Sequence, residues 1–447
     1  MAFYCAGEAI ETGHNPYRVE PLRSCEHRVA PRTNPPSIAE PAPLPGYALA
    51  PFVLLARLDY RIAAAIFVAL SLAGFVVSAY TLAPLARVPL ATAFSSLVVI
   101  DGYIDVSYGE NATLALAAVC VAGYFTAIGR DRAAGFAAAA AMFEPHVGLA
   151  ACASLFLWRA RSRVPLLLTG AAFLLLSLVV VSPHTFAEYF ARELPLQARS
   201  ETVSSDQYSL TWLAFLLGAS DDVAARIGSY CYLAFFIGGV ALARRVGRAF
   251  EAPALLVFFP CAATAFLGVF IHDIELPAAI PAALVIAART SSRVAWLALA
   301  MLTIAWMPWW FGVREVVVLT ALSLATLVWT VTPSQVARGR RIVLTVGSAM
   351  LYYGALKAYT AIPFIRIGTP HSLWPAAVEV GSSASSALSW GLLMRAEANA
   401  VPTNLQLLAG KCIVWTALAA IITIGVTRRR NHSTTFRSRS ISSWLSQ

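Results

Sequence analysis

Apolar blocks of about 16 to 25 residues recur along almost the whole chain, separated by short breaks that carry arginine. A hydrocarbon core of roughly 30 Å requires blocks of about this length, with every backbone polar group bonded inside its own helix. The pattern excludes a soluble fold and predicts an all-α, polytopic membrane protein. Apolar runs place eleven crossings at 62–83, 89–104, 111–128, 164–182, 223–242, 252–271, 274–289, 294–310, 314–332, 341–361 and 406–426. The run at 133–158 differs, with arginines at both ends and Glu144-Pro145-His146 in its middle. Proline removes a backbone donor there, and polar backbone is tolerated at membrane depth only under protein or beside a cavity. A re-entrant hairpin is therefore expected.

The net charge of +10 would suggest nucleic acid in a soluble chain. Here it sorts by side. Alternate loops collect 19 arginines, from Arg87 through Arg130, Arg132, Arg159, Arg244 and Arg248 to Arg437 and Arg439, against only Asp131 and Glu251. Apart from Glu144 in the hairpin, the rest of the chain has 14 bases and 20 acids. The positive-inside rule assigns the arginine loops and the C-terminus to the cytoplasm, so no nucleic-acid partner is expected. Of the 33 basic residues all but Lys357 and Lys411 are arginine, a GC-rich usage that points to a bacterium and its inner membrane. Three parts result: a first periplasmic segment at 1–61 with short helices, a transmembrane body at 62–426 with long periplasmic loops at 183–222 and 362–405, and a basic cytoplasmic tail at 427–447. An odd number of crossings ending inside must start outside. Residues 1–42 hold no signal peptide and carry Arg18, Arg23, Arg28 and Arg32, which resist translocation. A transmembrane helix preceding Met1 is therefore expected.

Cys5 and Cys25 fall in the outer segment, where an oxidising periplasm permits a disulfide; two free thiols are the alternative. No spacing of a zinc site occurs, no P-loop or dinucleotide fingerprint occurs, and no acid-only metal cluster stands out, so neither a metal nor a cofactor is expected. The informative polar residues gather at the outer membrane boundary: Asp101, Asp105, Glu110 and Asn111 in one turn, His272, Asp273 and Glu275 in another, and Glu144 with His146 at the hairpin apex. Ionisable groups near membrane depth face a cavity or a partner, whereas simple wetting at an interfacial turn is the bland alternative. Trp306, Trp309 and Trp310 read as an interfacial belt or as a platform on which a sugar stacks. Ser204 to Trp212 reads as helix-capping loop.

Several of these stretches form an ordered set. Phe3-Tyr4-Cys5-Ala6-Gly7-Glu8-Ala9 and Gly13-His14-Asn15-Pro16-Tyr17, then Leu44 to Pro51, Tyr108-Gly109-Glu110-Asn111, Ala134-Gly135 through Glu144-Pro145, Gln207-Tyr208-Ser209-Leu210 and His272-Asp273 resemble glycosyltransferase family 87. The resemblance covers roughly residues 1 to 290. It implies the GT-C fold and transfer of a mannose-like sugar, with inversion, from a polyprenyl-phosphate donor to a glycan or glycolipid acceptor at the periplasmic face. It further implies substrate contacts from Asn15, Tyr17, Glu110, Asn111, Glu144, His146, Gln207, Ser209, His272 and Asp273, with His272 and Gln207 toward the lipid phosphate. A carboxylate suits the work, because the acceptor hydroxyl loses its proton as the anomeric carbon becomes oxocarbenium-like. One departure stands out. The family's base aspartate precedes the aromatic pair and would fall upstream of Met1, since Ala2 stands before Phe3-Tyr4 here. The chain as written is expected to lack that base and to be impaired, with Glu8, Asp101 and Asp105 as candidates to replace it. A transporter or flippase of lipid-linked saccharides is the alternative class, and a non-catalytic membrane scaffold a third.

Overall fold

The computed structural model describes residues 1–30, 39–290, 292–362, 381–400 and 405–428. Half of the loop expected at 362–405 and the arginines of the tail from Arg429 onward lie outside the described residues. Among those described there is no β-strand, only two isolated bridges, Arg18 to Ser385 and Ser209 to Leu267. Five helices are long and apolar enough to cross a membrane: Tyr60–Ala86, Ala160–Val181, Asp221–Ala249, Arg314–Val331 and Leu405–Thr427. Leu90–Leu97 and Ile100–Tyr108 make a sixth if the pair, bent by 57°, is one path.

The remaining apolar runs are broken more than their hydropathy suggests. The run at 252–271 is helical only over Leu255–Ala265, and that at 274–289 starts with the tight turn Asp273–Ala279 before the helix Ile280–Arg289. Pro277 and Pro281 explain the late start, because each removes a backbone donor. These helices are short because they do not face lipid. Every residue of Leu255–Ala265 is buried, whereas only 17% of the best apolar window in Ala160–Val181 is. A helix that is apolar on all sides and enclosed by others is core. Gly123 lets it approach, since a Cβ there would lie 2.3 Å from the Phe258 ring.

The run at 133–158 forms the expected hairpin. Asp131–Ala140 and Pro145–Trp158 flank a turn at Ala141–Phe143, with Pro145 in the first turn, where its missing N–H costs nothing. The two helices return antiparallel: Asp131 lies 3.5 Å from Arg159, and the Cys152 thiol is 3.1 Å from the Ala138 carbonyl. At the tip a Cβ on Gly148 would come within 2.5 Å of the Ala141 backbone, so the close return needs glycine.

A second packed unit is built by the N-terminal segment. Cys5 and Cys25 are disulfide-bonded, joining Ala2–Glu11 to Val19–Val29 with 5.6 Å between their Cα atoms. Phe3 meets Phe52 of the helix Gly46–Leu55 at 5.2 Å. Arg18 sits between Glu188 and Glu193, and Ser385 donates to Glu193. Described parts of 1–61, 183–222 and 362–405 thus pack on one another.

Candidate functional site

The bend at 100–108 is where the site begins. Ile100–Asp105 winds as a π-helical turn, a form frequent at functional positions. It carries Asp101 and Asp105, both fully buried, and none of their four carboxylate oxygens has a hydrogen-bond partner. The Thr113 hydroxyl donates to the Asp101 main-chain carbonyl at 3.3 Å and stands beside the carboxylate. Asn111 opens the helix Ala112–Ala127 with its own amide nitrogen buried and unpartnered. Glu110, half-buried beside it, has its pKa pushed up to about 7, first by burial and then by the Glu275 carboxylate.

The segment at 272–275 closes over this bend. The His272 main-chain N–H donates to Glu275 Oε2 at 2.6 Å, and the ring Nδ1 lies 3.4 Å from the same oxygen. Nε2 is 3.1 Å from Glu201 Oε2. Burial alone would discharge the imidazole, but Glu275 and then Glu201 override it and hold the pKa well above the ordinary histidine value. Asp273, also buried, accepts from Trp310 Nε1 at 3.4 Å; burial and then Asp206 push its pKa up to about 7. Tyr108 meets Trp310 edge-on at 5.5 Å, and both Tyr108 and Trp309 are exposed at the rim. Glu144 and His146 come from the hairpin apex and lie within Coulombic reach of Glu275 and His272.

Residues 45–271 match the sequence model of glycosyltransferase family 87, which is half of the chain. The chain belongs to glycosyltransferase family 87. No curated protein and no solved structure matches it. Family membership, with the apolar helices, makes this a membrane glycosyltransferase that handles a sugar donor and an acceptor. The family 87 match holds Asp101, Asp105, Glu110, Asn111, Glu144 and His146, and ends one residue before His272.

Of the residues expected from sequence, this family 87 structure brings together Asp101, Asp105, Glu110, Asn111, Glu144, His146, His272 and Asp273. Gln207 and Ser209 stand behind them: both are fully buried, and both ends of the Gln207 amide are bonded, to the Glu201 carbonyl and to the Ser209 hydroxyl at 2.5 Å. Ser209 in turn accepts from the Trp212 N–H at 3.1 Å, capping Leu210–Leu216. Asn15 and Tyr17 belong to the N-terminal unit, where Asn15 donates to Glu188 at 3.0 Å and the buried Tyr17 hydroxyl donates to the Leu44 carbonyl at 2.8 Å. Glu8 is held there too, by Arg28.

Sequence reasoning missed Glu201, Asp206, Trp390 and Lys411. Glu201 accepts from Trp390 Nε1 at 2.6 Å and from Gln197 at 2.7 Å, as well as facing His272. Lys411 is fully buried in the last long helix, donates to the Ser205 carbonyl at 2.7 Å and to that of Gln207, and lies over the Trp212 and Tyr208 rings at 4.3 and 4.7 Å. A signal existed for it: a lone lysine inside an apolar run of 20 residues or so must face a partner. Among the described residues no group of three His, Cys, Asp or Glu side chains is arranged to hold a metal ion.

Proposed function

We propose that this protein moves a mannose-like sugar from a polyprenyl-phosphate donor to a glycan or glycolipid acceptor at the periplasmic face of a bacterial inner membrane, with the reaction at the carboxylate cluster. The observation that carries the reading is the buried, unpartnered pair Asp101 and Asp105 on the bend against which the segment 273–279 packs. Buried polar groups are almost always bonded, so four orphaned carboxylate oxygens fit acceptors waiting for substrate hydroxyls.

In this reading Asp101 and Asp105 hold the acceptor, and Glu110 takes its proton, since a general base works best with a pKa near the operating pH. The acceptor oxygen forms its bond to the anomeric carbon as the bond to the phosphate oxygen breaks on the opposite side, which inverts the centre and releases polyprenyl phosphate. The His272 imidazolium supplies positive charge toward the leaving phosphate, a charge-assisted contact. Eleven crossings in a GT-C arrangement, with a cytoplasmic C-terminus, are the topology that goes with this direction of transfer.

The test is transfer of label from polyprenyl-phosphate mannose in detergent-solubilised membranes, wild type against the double variant Asp101→Asn, Asp105→Asn. Label should reach an acceptor with wild type only. Sugar movement seen only in sealed vesicles, with no covalent product in detergent, would replace this reading by a transporter.

A further inference from the structure

We infer that a cavity at the arginine-rich end of the protein binds the phosphodiester headgroup of an anionic membrane lipid. The cavity has a volume of about 510 Å³, inside the range of roughly 300–1,000 Å³ typical of small-ligand clefts. It lies between the ends of Pro145–Trp158 and Asp221–Ala249 and the start of Leu255–Ala265, and Trp158, Arg159, Arg244, Arg248 and Glu251 line it.

Its donors are set in place and uncommitted. Trp158 is fixed by a 2.7 Å hydrogen bond from its indole N–H to the Val240 carbonyl, and the Arg244 guanidinium stacks 5.5 Å from the Trp158 ring. Neither the Arg244 nor the Arg248 guanidinium hydrogen-bonds a described residue, so their forked N–H groups are available to an oxyanion. Arginines at a helix C-terminus would serve as caps by bonding the last carbonyls, as Arg163 does with the Phe156 carbonyl at 2.9 Å. Arg244 and Arg248 do not.

Charge and surroundings select the ligand. Of the three guanidiniums two are balanced in number by Glu251, on the cavity wall, and by Asp131, 3.5 Å from Arg159. The cavity is left net positive, and its uncommitted guanidiniums suit a phosphodiester oxyanion. Arg428, at the end of the last long helix, stacks 4.8 Å from Phe250 and adds to the field. Exposed apolar side chains approach from both walls: Phe156 and Leu157 just before Trp158, and Leu233 and Ile237 on the long helix leading to Arg244. Acyl chains would lie along them while the headgroup enters the cavity. This end of the molecule is remote from the carboxylate cluster, and the inference does not depend on the transfer reaction.

The probe is dihexanoyl phosphatidylglycerol, with dihexanoyl phosphatidylcholine and inorganic phosphate as the other arms, added to the full chain in neutral detergent and read by native mass spectrometry of retained adducts. Phosphatidylglycerol should be retained about ten-fold better than phosphatidylcholine, and Arg244→Gln with Arg248→Gln should abolish that preference. A control pair in another arginine loop, Arg338→Gln with Arg340→Gln, should keep it. Equal retention of the two lipids by wild type overturns the inference, whatever the variants do. So does loss of the preference in the control pair, which would mark a general charge effect. Competition by inorganic phosphate at the concentration of the lipid would identify a free-anion site and remove the lipid.

Discussion

Two polar clusters in this molecule contain buried carboxylates, and they are treated in opposite ways. Around Arg18 each acid has a partner: Glu188 is met by Arg18, Arg192 and Asn15, and Glu193 by Arg18 and Ser385. Around the bend at 100–108, Asp101 and Asp105 have none, while His272 and Lys411 are engaged by other groups. Paired buried charges hold segments in register, whereas unpaired ones cost stability and persist where the site has work to do. The first cluster ties the N-terminal unit to 183–193 and 385; the second faces the residues of the family match. The difference separates polar groups that build the protein from those offered to a substrate.

The comparison can be broken at its strongest point by Asp105→Asn. Sugar transfer should fall by about 10–100-fold, the range for losing a hydrogen bond to a substrate hydroxyl, while the melting temperature rises because a buried carboxyl without a partner has gone. A variant that is less stable and fully active would erase the distinction. Arg18→Met should do the reverse, removing up to about 3 kcal/mol of stability by leaving the buried Glu193 without its cation, with transfer per folded molecule unchanged; thermal unfolding and rates normalised to folded protein check it. Next in size, replacing both Cys5 and Cys25 by serine reopens a loop of about 20 residues and should cost about 3 kcal/mol, read from melting curves.

The smallest effect is a pH slope with a definite sign. Glu110 has a folded pKa of about 7 against an ordinary 4.5, so between these values the folded state binds the extra proton and stability falls as pH rises. The raised His272 pKa acts in the same direction: its contribution is full below about 6.5 and is lost as pH climbs through the folded value. Transfer should instead rise through pH of about 7 as Glu110 becomes a base. Melting temperature and initial rate followed from pH 5.5 to 8.5 should therefore run in opposite directions, and Glu110→Gln should remove the rise in rate while lessening the slope in melting temperature.

Much of this was legible in the chain. Periodicity and charge gave an all-helical polytopic protein, and the Glu144-Pro145-His146 interruption marked the hairpin. Asp101, Asp105, Glu110 and His272 stood out as charges at apolar boundaries. At 252–271 hydropathy did not show that the helix is confined to Leu255–Ala265, because a helix enclosed by protein is as apolar as one facing lipid. Glu201 and Trp390 were invisible for another reason. They are 189 residues apart and ordinary in their local sequence, and only the tertiary fold brings the indole to the carboxylate that holds His272. Asn15 and Tyr17 are held by contacts that their local sequence does not show, Asn15 to Glu188 and Tyr17 to the Leu44 carbonyl.

The hairpin fixes one further property of the chain's path. Because Asp131 and Arg159 finish 3.5 Å apart, everything between them contributes an even number of traversals, whatever depth the tip reaches. Reporters fused after Arg130 and after Ala160 should therefore read the same compartment. Deleting the whole hairpin would remove Glu144 and His146 yet leave the sidedness of every later loop as it was.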